Sequence, residues 1–216
     1  MGVFTFDASV LLLQGDDLLP FLDGLTTNKV DGPCTTVFTN LHAKIIDVCE
    51  VIPFNDQVVL VGFEASKSNL IEHLRVRFLG RNITLQDVSH LNQVYLSNKI
   101  VNAPEGSLHH TSFFGKMVIC STAKPVEVTW SENDFTEYRI QELLPFYGHE
   151  ISSDVHPLAC GLGALVHPQK GCYIGQEILT RMRSRNKMGK QLLRVENPVD
   201  DALTVGKTQS LVIRRV

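Results

Sequence analysis

The stretch KGCYIGQEILTRMRSR, residues 170–185, decides how this sequence is interpreted. Gly171 and Gly175 bound a predicted turn, and a helix is predicted over the residues that follow. Cys172 lies inside that turn, close to a lysine and to the start of the helix. A thiol in such surroundings is biased towards its thiolate form, whereas the alternative for a cysteine is a buried structural role. From the residues alone, two interpretations of Cys172 stay open: a reactive thiol in a glycine-bounded turn and a buried structural cysteine.

The bulk composition is that of a globular protein. The chain has 216 residues, of which 44% are hydrophobic and 20% charged, with a formal net charge of -3. This length allows one large domain or two small ones. The charge gives no general attraction to nucleic acid or to membranes, so neither is predicted as a partner. The sequence contains no long apolar run that predicts a membrane-spanning helix, and no basic region precedes the first apolar stretch as in a signal peptide.

The cysteines indicate free thiols. Their number is odd, and no C-x-x-C pair occurs among Cys34, Cys49, Cys120, Cys160 and Cys172. Neither a zinc knuckle nor a self-contained iron–sulfur ligand set is therefore predicted, and no metal ligand is assigned. Free thiols favour a reducing, cytoplasmic setting.

The hydrophobic pattern predicts many short strands with a few helices between them. Strands are predicted over 3–13, 35–40, 44–54, 57–63, 83–89, 94–97 and 116–121, and near 190–196 and 208–215. Helices are predicted over 17–25, 66–79, 131–144 and 176–185. Asp16 and Ser66 are expected to cap the first two helices, and Ser131 with Asp134 forms a capping box for the third. Residues 98–112 and 146–169 are predicted to be irregular. This order favours an α+β fold with antiparallel sheets.

A resemblance to a known family rests on several segments. K-G-C-Y-x-G-Q-E at 170–177 resembles the signature of the YgfZ family, folate-binding proteins that assist iron–sulfur cluster assembly or repair. LTTNKV resembles that family's Q-L-T-N-D-V, and TNLHAKIID resembles a stretch of the related aminomethyltransferase of glycine cleavage. The matching segments are 25–30, 39–47, 139–140, 147–150 and 170–177, and the likeness extends over roughly 8–65 and 137–195.

The resemblance implies a fold and a function for this chain, and both are expectations. It implies an aminomethyltransferase (GcvT)-like folate-binding fold with antiparallel sheets and ferredoxin-like units. A domain over residues 1–185 would be followed by a reduced C-terminal β segment over 186–216. The implied function is that of a tetrahydrofolate-binding accessory protein in iron–sulfur cluster assembly or repair. Its cofactor would be tetrahydrofolate or a derivative, its partners iron–sulfur assembly or client proteins, and Cys172 its catalytic residue.

Asp47 is the second residue that the resemblance singles out. In the aminomethyltransferase the matching carboxylate lies near the pterin, whose donor edge a carboxylate accepts well. The residue also falls within an apolar run, where a charge is costly unless it is paired. The alternative is an outward-facing strand position. Asn28 and Asn40 are weaker candidates for folate binding, since both residues also suit turns.

The remaining candidate folate-binding residues surround Cys172. Lys170 is assigned to the folate tail or to activation of the thiol, and Tyr173 to stacking on the pterin or to the core. Gln176 and Glu177 lie in the first helical turn, where an acid also complements the helix dipole. Arg181 begins a basic run that includes Arg183, Arg185, Lys187 and Lys190. That run is interpreted as a solvated surface or as a strip for the anionic folate tail.

Three departures from the family pattern keep other functions open. Ala159 stands where the family has the acid of Pro-x-Glu, Lys29 replaces the aspartate of T-N-D-V, and the chain ends soon after the signature. The first alternative is a folate-dependent aminomethyl or one-carbon transferase, an enzyme that the missing acid disfavours. The second is a non-catalytic scaffold that has kept the fold.

Overall fold

Three antiparallel sheets make up the computed structural model, which describes residues 2–184 and 189–215. The strands are β1 (Val3–Phe6), β2 (Ala8–Gly15), β3 (Cys34–Thr39), β4 (Ile45–Phe54), β5 (Gln57–Phe63), β6 (Ile83–Asp87), β7 (Asn92–Ser97), β8 (Leu108–Ser112), β9 (Gly115–Ser121), β10 (Lys190–Glu196), β11 (Thr204–Val205) and β12 (Gln209–Arg215). The α-helices are α1 (Leu18–Asp23), α2 (Lys67–Arg75), α3 (Glu132–Glu142) and α4 (Gln176–Ser184). Single 3-10 turns lie at Glu64–Ser66, Ser89–Leu91 and Gly163–Leu165.

The five-stranded sheet, in the order β3-β4-β5-β2-β6, forms the centre of the molecule. Its inner strands are buried on both faces, and the sequences of β2 and β5 are therefore nearly unbroken apolar runs. One face packs under α1 and α2, through Phe21 and Leu74. The other packs against the four-stranded sheet, whose order is β1-β7-β9-β8, through Leu96 and Met117.

The three-stranded sheet, in the order β10-β12-β11, closes the C-terminal end. It rests on α3 through a small apolar cluster of Ile140, Leu192 and Leu211. This sheet lies where a reduced β segment is expected. The domain boundary expected at 185/186 falls outside the described residues, so the division into two domains stays a prediction.

Several local predictions are confirmed and others are wrong. The capping box of Ser131 and Asp134 is present, and 146–169 is irregular apart from a 3-10 turn and an isolated β-bridge between Tyr147 and Ile151. The strand predicted over 3–13 is two strands, because β1 and β2 on either side of Asp7 belong to different sheets. The irregular stretch predicted over 98–112 ends in β8, whose LHHTS sequence lacks an apolar alternation.

The predicted cap of the first helix is wrong, whereas that of the second is confirmed in position but makes no side-chain capping bond. Asp17, in the left-handed conformation at φ 52°, occupies the N-cap of α1 in place of Asp16 and makes no side-chain capping bond. Ser66 does precede α2, but its hydroxyl donates to the Phe63 carbonyl and not to the helix.

Within the described residues, no helix is both long enough and apolar enough to cross a bilayer.

Candidate functional site

The signature segment lies directly on the turn between β3 and β4. The Thr39 hydroxyl donates to the Ile174 carbonyl at 2.7 Å. Gly175 has a φ of +85°, and a Cβ there would come within 2.8 Å of Thr39 Oγ1 and 2.9 Å of the Asn40 carbonyl. Both the backbone conformation and this close approach require glycine. The second glycine of the signature thus joins the cysteine turn to the central sheet.

Lys170 ties the same segment to the end of α1. Its ammonium donates to the carbonyls of Asp23, Thr26 and Asn28 at 2.7, 2.9 and 2.6 Å, and lies 2.9 Å from the Asp23 carboxylate. Burial lowers the pKa of Lys170, although Asp23 acts in the opposite direction. An ammonium has three N–H donors, and these acceptors already occupy them. The assignment of Lys170 to the folate tail or to the thiol stays a prediction, since its observed contacts are internal.

We expect Lys170→Met to lower the free energy of unfolding by about 3 kcal/mol, because it leaves buried carbonyls and a carboxylate without their donor. Lys170→Arg should rescue this loss poorly, since a planar guanidinium does not match three converging carbonyls. Lys29→Met, which removes an exposed partner of Asp31, serves as the control and should change little. Chemical denaturation measures all three variants. Equal stability of Lys170→Met and Lys29→Met would contradict the anchoring role.

Cys172 is the exposed cysteine among the five, and all five are free. Burial raises the pKa of the Cys34 thiol to about 11 and that of Cys160 to about 12. The pKa values of Cys49 and Cys120 are also raised by burial. A buried thiol with a raised pKa forms little thiolate at neutral pH and is hard to reach. The accessible thiol chemistry of this chain is therefore concentrated at Cys172.

Tyr173 and Gln176 stabilise the turn around Cys172. The Tyr173 ring is buried in a small cluster with Leu158, Val166 and Leu179, and burial raises the pKa of its phenol. The Gln176 side-chain amide lies 3.4 Å from two carbonyls of the turn. For Tyr173 the structure shows core packing, and its stacking on a pterin stays a prediction.

Glu177 and Arg181 form an exposed pair one helical turn apart, 2.8 Å between the guanidinium and the carboxylate. The structure shows neither a bond from Glu177 to Tyr173 nor one to Cys172 among the described residues. In the rest of the basic run, Arg183 donates to the Gly163 carbonyl at 2.9 Å. Arg185 and Lys187 lie outside the described residues. A pair as exposed as Glu177 and Arg181 contributes little to stability, so both side chains are free to meet a ligand.

Asp47 is fully buried in β4, and that burial raises its pKa to about 7. Oδ1 accepts the backbone N–H groups of Val48 and Phe63 at 2.8 and 3.3 Å. Oδ2 faces the Cys49 thiol at 3.5 Å and occupies the space into which a side chain at Gly62 would project. The outward-facing alternative is therefore wrong. Asp47 is a carboxyl group without a cationic partner among the described residues.

The two asparagines hold the loops beside this region. The Asn28 amide donates to the Thr35 carbonyl at 2.9 Å, and its oxygen accepts the Lys29 N–H at 2.9 Å. The Asn40 oxygen accepts the N–H groups of His42 and Lys44 and so closes the turn between β3 and β4. Both therefore act here as turn residues, and folate contact by either one stays a prediction.

The structure connects Asp47 to the cysteine turn through β3. Asp47 pairs with Phe38 across the ladder, and the next residue, Thr39, bonds the turn at Ile174. Asp47 and Cys172, far apart in sequence, thus lie on neighbouring segments that a hydrogen bond joins. Asn28 and Lys170 are also in direct contact, because the Lys170 ammonium donates to the Asn28 carbonyl.

The sequence interpretation overlooked one further buried acidic residue in β4. Glu50 lies in the same apolar run as Asp47 and accepts from Ser112 at 2.6 Å and from Thr35 at 2.6 Å, with His110 Nε2 at 2.8 Å. A charge in an apolar run, the signal used for Asp47, also marked this residue. The cluster joins the five-stranded sheet to the four-stranded sheet.

Comparisons with known proteins agree with this architecture. No protein-family model matches the chain. An aminomethyltransferase of Alkaliphilus oremlandii is 26% identical over 177 residues, covering 74% of this chain and 46% of that protein. An aminomethyltransferase of Exiguobacterium sibiricum is 38% identical over 45 residues, 21% of this chain and 12% of that protein. A chloroplastic protein of Arabidopsis thaliana, provisionally named a transferase, is 22% identical over 94% of this chain and 59% of its own length.

The chain thus spans about half the length of two of these curated relatives, 46% of the aminomethyltransferase of Alkaliphilus oremlandii and 59% of the Arabidopsis thaliana protein. Among solved structures, the glycine cleavage system aminomethyltransferase T of Bartonella henselae superimposes with a TM-score of 0.68 at 12% identity. The superposition covers 93% of this chain and 69% of that protein. A likeness of this kind establishes the architecture. The chain therefore has the fold of the glycine-cleavage aminomethyltransferase, a mixed α/β fold with antiparallel sheets.

Proposed function

We propose that this protein binds tetrahydrofolate or a derivative and acts as an accessory factor in iron–sulfur cluster assembly or repair, as a member of the YgfZ family. Cys172 is its reactive residue. The observation that carries the proposal is the K-G-C-Y-x-G-Q-E segment, whose lysine and second glycine are fixed to the fold while its thiol is exposed. A fixed backbone that presents one accessible thiol suits attack on a one-carbon unit, transient metal binding or mixed-disulfide formation.

The chemistry of Asp47 fits the pterin of a reduced folate. Aminomethyltransferases of this fold use tetrahydrofolate, whose pterin presents neighbouring N–H donors, and a buried carboxylate is a strong acceptor for such an edge. Oδ2 faces the Cys49 thiol, a weak donor, at 3.5 Å, and the Ser66 hydroxyl also acts on this carboxyl group as a hydrogen-bond partner. The charge of Asp47 adds to burial in raising the pKa of Tyr147, a partly exposed ring. Tyr147 therefore lies close enough to Asp47 to be affected by its charge.

Isothermal titration with folinic acid tests folate binding. We expect saturable binding that weakens as the pH falls below about 7, because the pKa of Asp47 is about 7 and its carboxylate is the proposed acceptor. Asp47→Asn should lose both the affinity and this pH dependence, while Cys172→Ala should keep both. Absence of heat and of thermal protection at saturating ligand would contradict the proposal, and unchanged binding by Asp47→Asn would remove Asp47 from it.

The role of Cys172 is tested separately in a strain that lacks the chromosomal gene for this protein. A plasmid supplies the native protein or a variant, and the activity of iron–sulfur enzymes is measured. We expect Cys172→Ala to fail to restore these activities. Cys34→Ala is the matched control, since that half-buried thiol has a raised pKa and is expected to be unreactive. Full restoration by Cys172→Ala would contradict a reactive role. Failure of both variants would assign the defect to folding.

A folate-dependent transferase is the second candidate, and the aminomethyltransferase fold is the observation that favours it. Ala159, which replaces the acid of the family pattern, lines a cavity of about 460 Å³ together with His156 and Leu203. No carboxylate projects from that position, so catalysis that depends on it is disfavoured. Turnover of an aminomethyl or dimethylglycine-type donor with tetrahydrofolate would establish the transferase. A protein that lacks both folate binding and turnover would be a scaffold.

A further inference from the structure

A cavity of about 590 Å³ opens on the outer face of the four-stranded sheet, between β8, β9 and residues 100–103. This face is separate from the main core, because Val118 packs there with Val3, Tyr95 and Val101 in a cluster of its own. Its size lies within the range of small-molecule sites. The side chains used below are Val101, Ala103, His109, Thr111, Lys116 and Val118.

The charges around this cavity are of one sign. None of the described residues that line it is acidic, although acidic residues outnumber basic ones in the chain, 23 to 20. The Lys116 ammonium donates to the Thr111 hydroxyl at 3.1 Å. Across the described ranges 2–184 and 189–215, no carboxylate lies within ion-pair distance of Lys116. A half-buried lysine without a counter-ion favours an anionic group at this position.

The wall beside Lys116 is apolar. Val101 and Val118 are buried in the same apolar cluster, and Ala103 packs against that cluster. His109 pairs with Val118 and Thr111 pairs with Lys116 across the two strands, so these four residues lie on the same face of the sheet. One lysine supplies a single point charge, whereas phosphate is usually held by several donors or by an arginine fork. The arrangement therefore matches a monoanion that carries a short apolar chain.

We propose that this cavity binds a small amphiphilic carboxylate. The carboxylate contacts Lys116 and the Thr111 hydroxyl, and the apolar chain lies against Val101 and Val118. One face of the four-stranded sheet packs in the main core against the strand that carries Asp47, and the proposed site lies on the opposite face. The inference is therefore independent of the folate proposal.

Amide NMR titration of the full chain with octanoate tests this site. We expect saturable shifts confined to residues 100–103 and 108–118, and none with octylamine, which has the same chain and the opposite charge. Lys116→Met keeps the length and apolar stem of the side chain and should weaken octanoate binding about tenfold, the effect of one charge-assisted hydrogen bond. Ala103→Phe should block binding by filling the cavity while leaving the charge in place. Lys124→Met removes an exposed lysine outside the cavity and is the control.

Three results would overturn the proposal. Octylamine that binds as tightly as octanoate would show that charge plays no part. Unchanged affinity of Lys116→Met, in a variant whose spectrum shows it to be folded, would remove the lysine from the site. Octanoate shifts that lie elsewhere on the protein, or that never saturate, would show that the cavity is not the binding site.

Discussion

Replacing Arg139 by methionine is expected to lower the free energy of unfolding by about 3–5 kcal/mol, because it leaves a buried carboxylate without its cation. The Arg139 guanidinium is buried and donates to Glu150 at 3.2 Å, to the Leu144 carbonyl at 3.2 Å and to the Thr204 hydroxyl at 3.1 Å. Burial lowers the pKa of Arg139, and Glu150 opposes that effect. The network attaches α3 and the loop after it to β11 of the C-terminal sheet.

The double variant Arg139→Met with Glu150→Gln should recover part of the lost stability. The unpaired charge is then gone, and a neutral pair costs less to bury. Arg214→Met is the matched control, because it breaks an exposed pair with Asp201 and should change little. Urea unfolding monitored by circular dichroism measures each variant. Additive losses in the double variant, with no recovery, would mean that the two residues do not act as a pair.

Asp47→Asn is expected to stabilise the protein at about pH 8, by an amount near 4 kcal/mol. The pKa of Asp47 rises from 3.8 to about 7 on folding because the carboxyl group is fully buried. The folded state therefore holds the proton more tightly, and stability falls as the pH rises through the window between these two values. An asparagine carries no proton and escapes this loss, while Oδ1 can still accept the same two backbone N–H groups.

The measurement is the difference in unfolding free energy between Asp47→Asn and the native protein from about pH 4 to about pH 8. The difference should grow as the pH rises to about 7 and stay level above it. The comparison is needed because His73 acts in the opposite sense. Burial, with Arg77, lowers the pKa of His73 to about 4. The folded state therefore binds a proton at His73 less tightly than the unfolded state does, so the stability rises as the pH rises from about 4 to about 6.5. A difference that does not vary with pH would contradict the raised pKa of Asp47.

Local sequence patterns predicted much of the fold because each depends on neighbours along the chain. The capping box before α3 is an interaction between residues three apart, and it is present. The burial of β5 follows from its composition. β8 escaped prediction because its pairing with β9 stabilises a polar strand that no local apolar pattern marks. Glu50 was missed although it stands in the same apolar run as Asp47, and the partners that satisfy it lie on other strands.

The chain by itself determined the α+β class, most element positions, and the glycine-bounded turn around Cys172, since these depend on residue type and on spacing over a few positions. Tertiary structure alone decided which groups meet. Lys170 reaches three carbonyls about 145 residues away and is buried there. The neighbours of Asp47 and Cys172 in sequence left open whether each side chain is buried or exposed, and the structure shows that Asp47 is enclosed and Cys172 is exposed. The physical reason is that burial and hydrogen-bond partners, which set these charges and reactivities, come from segments brought together only by folding.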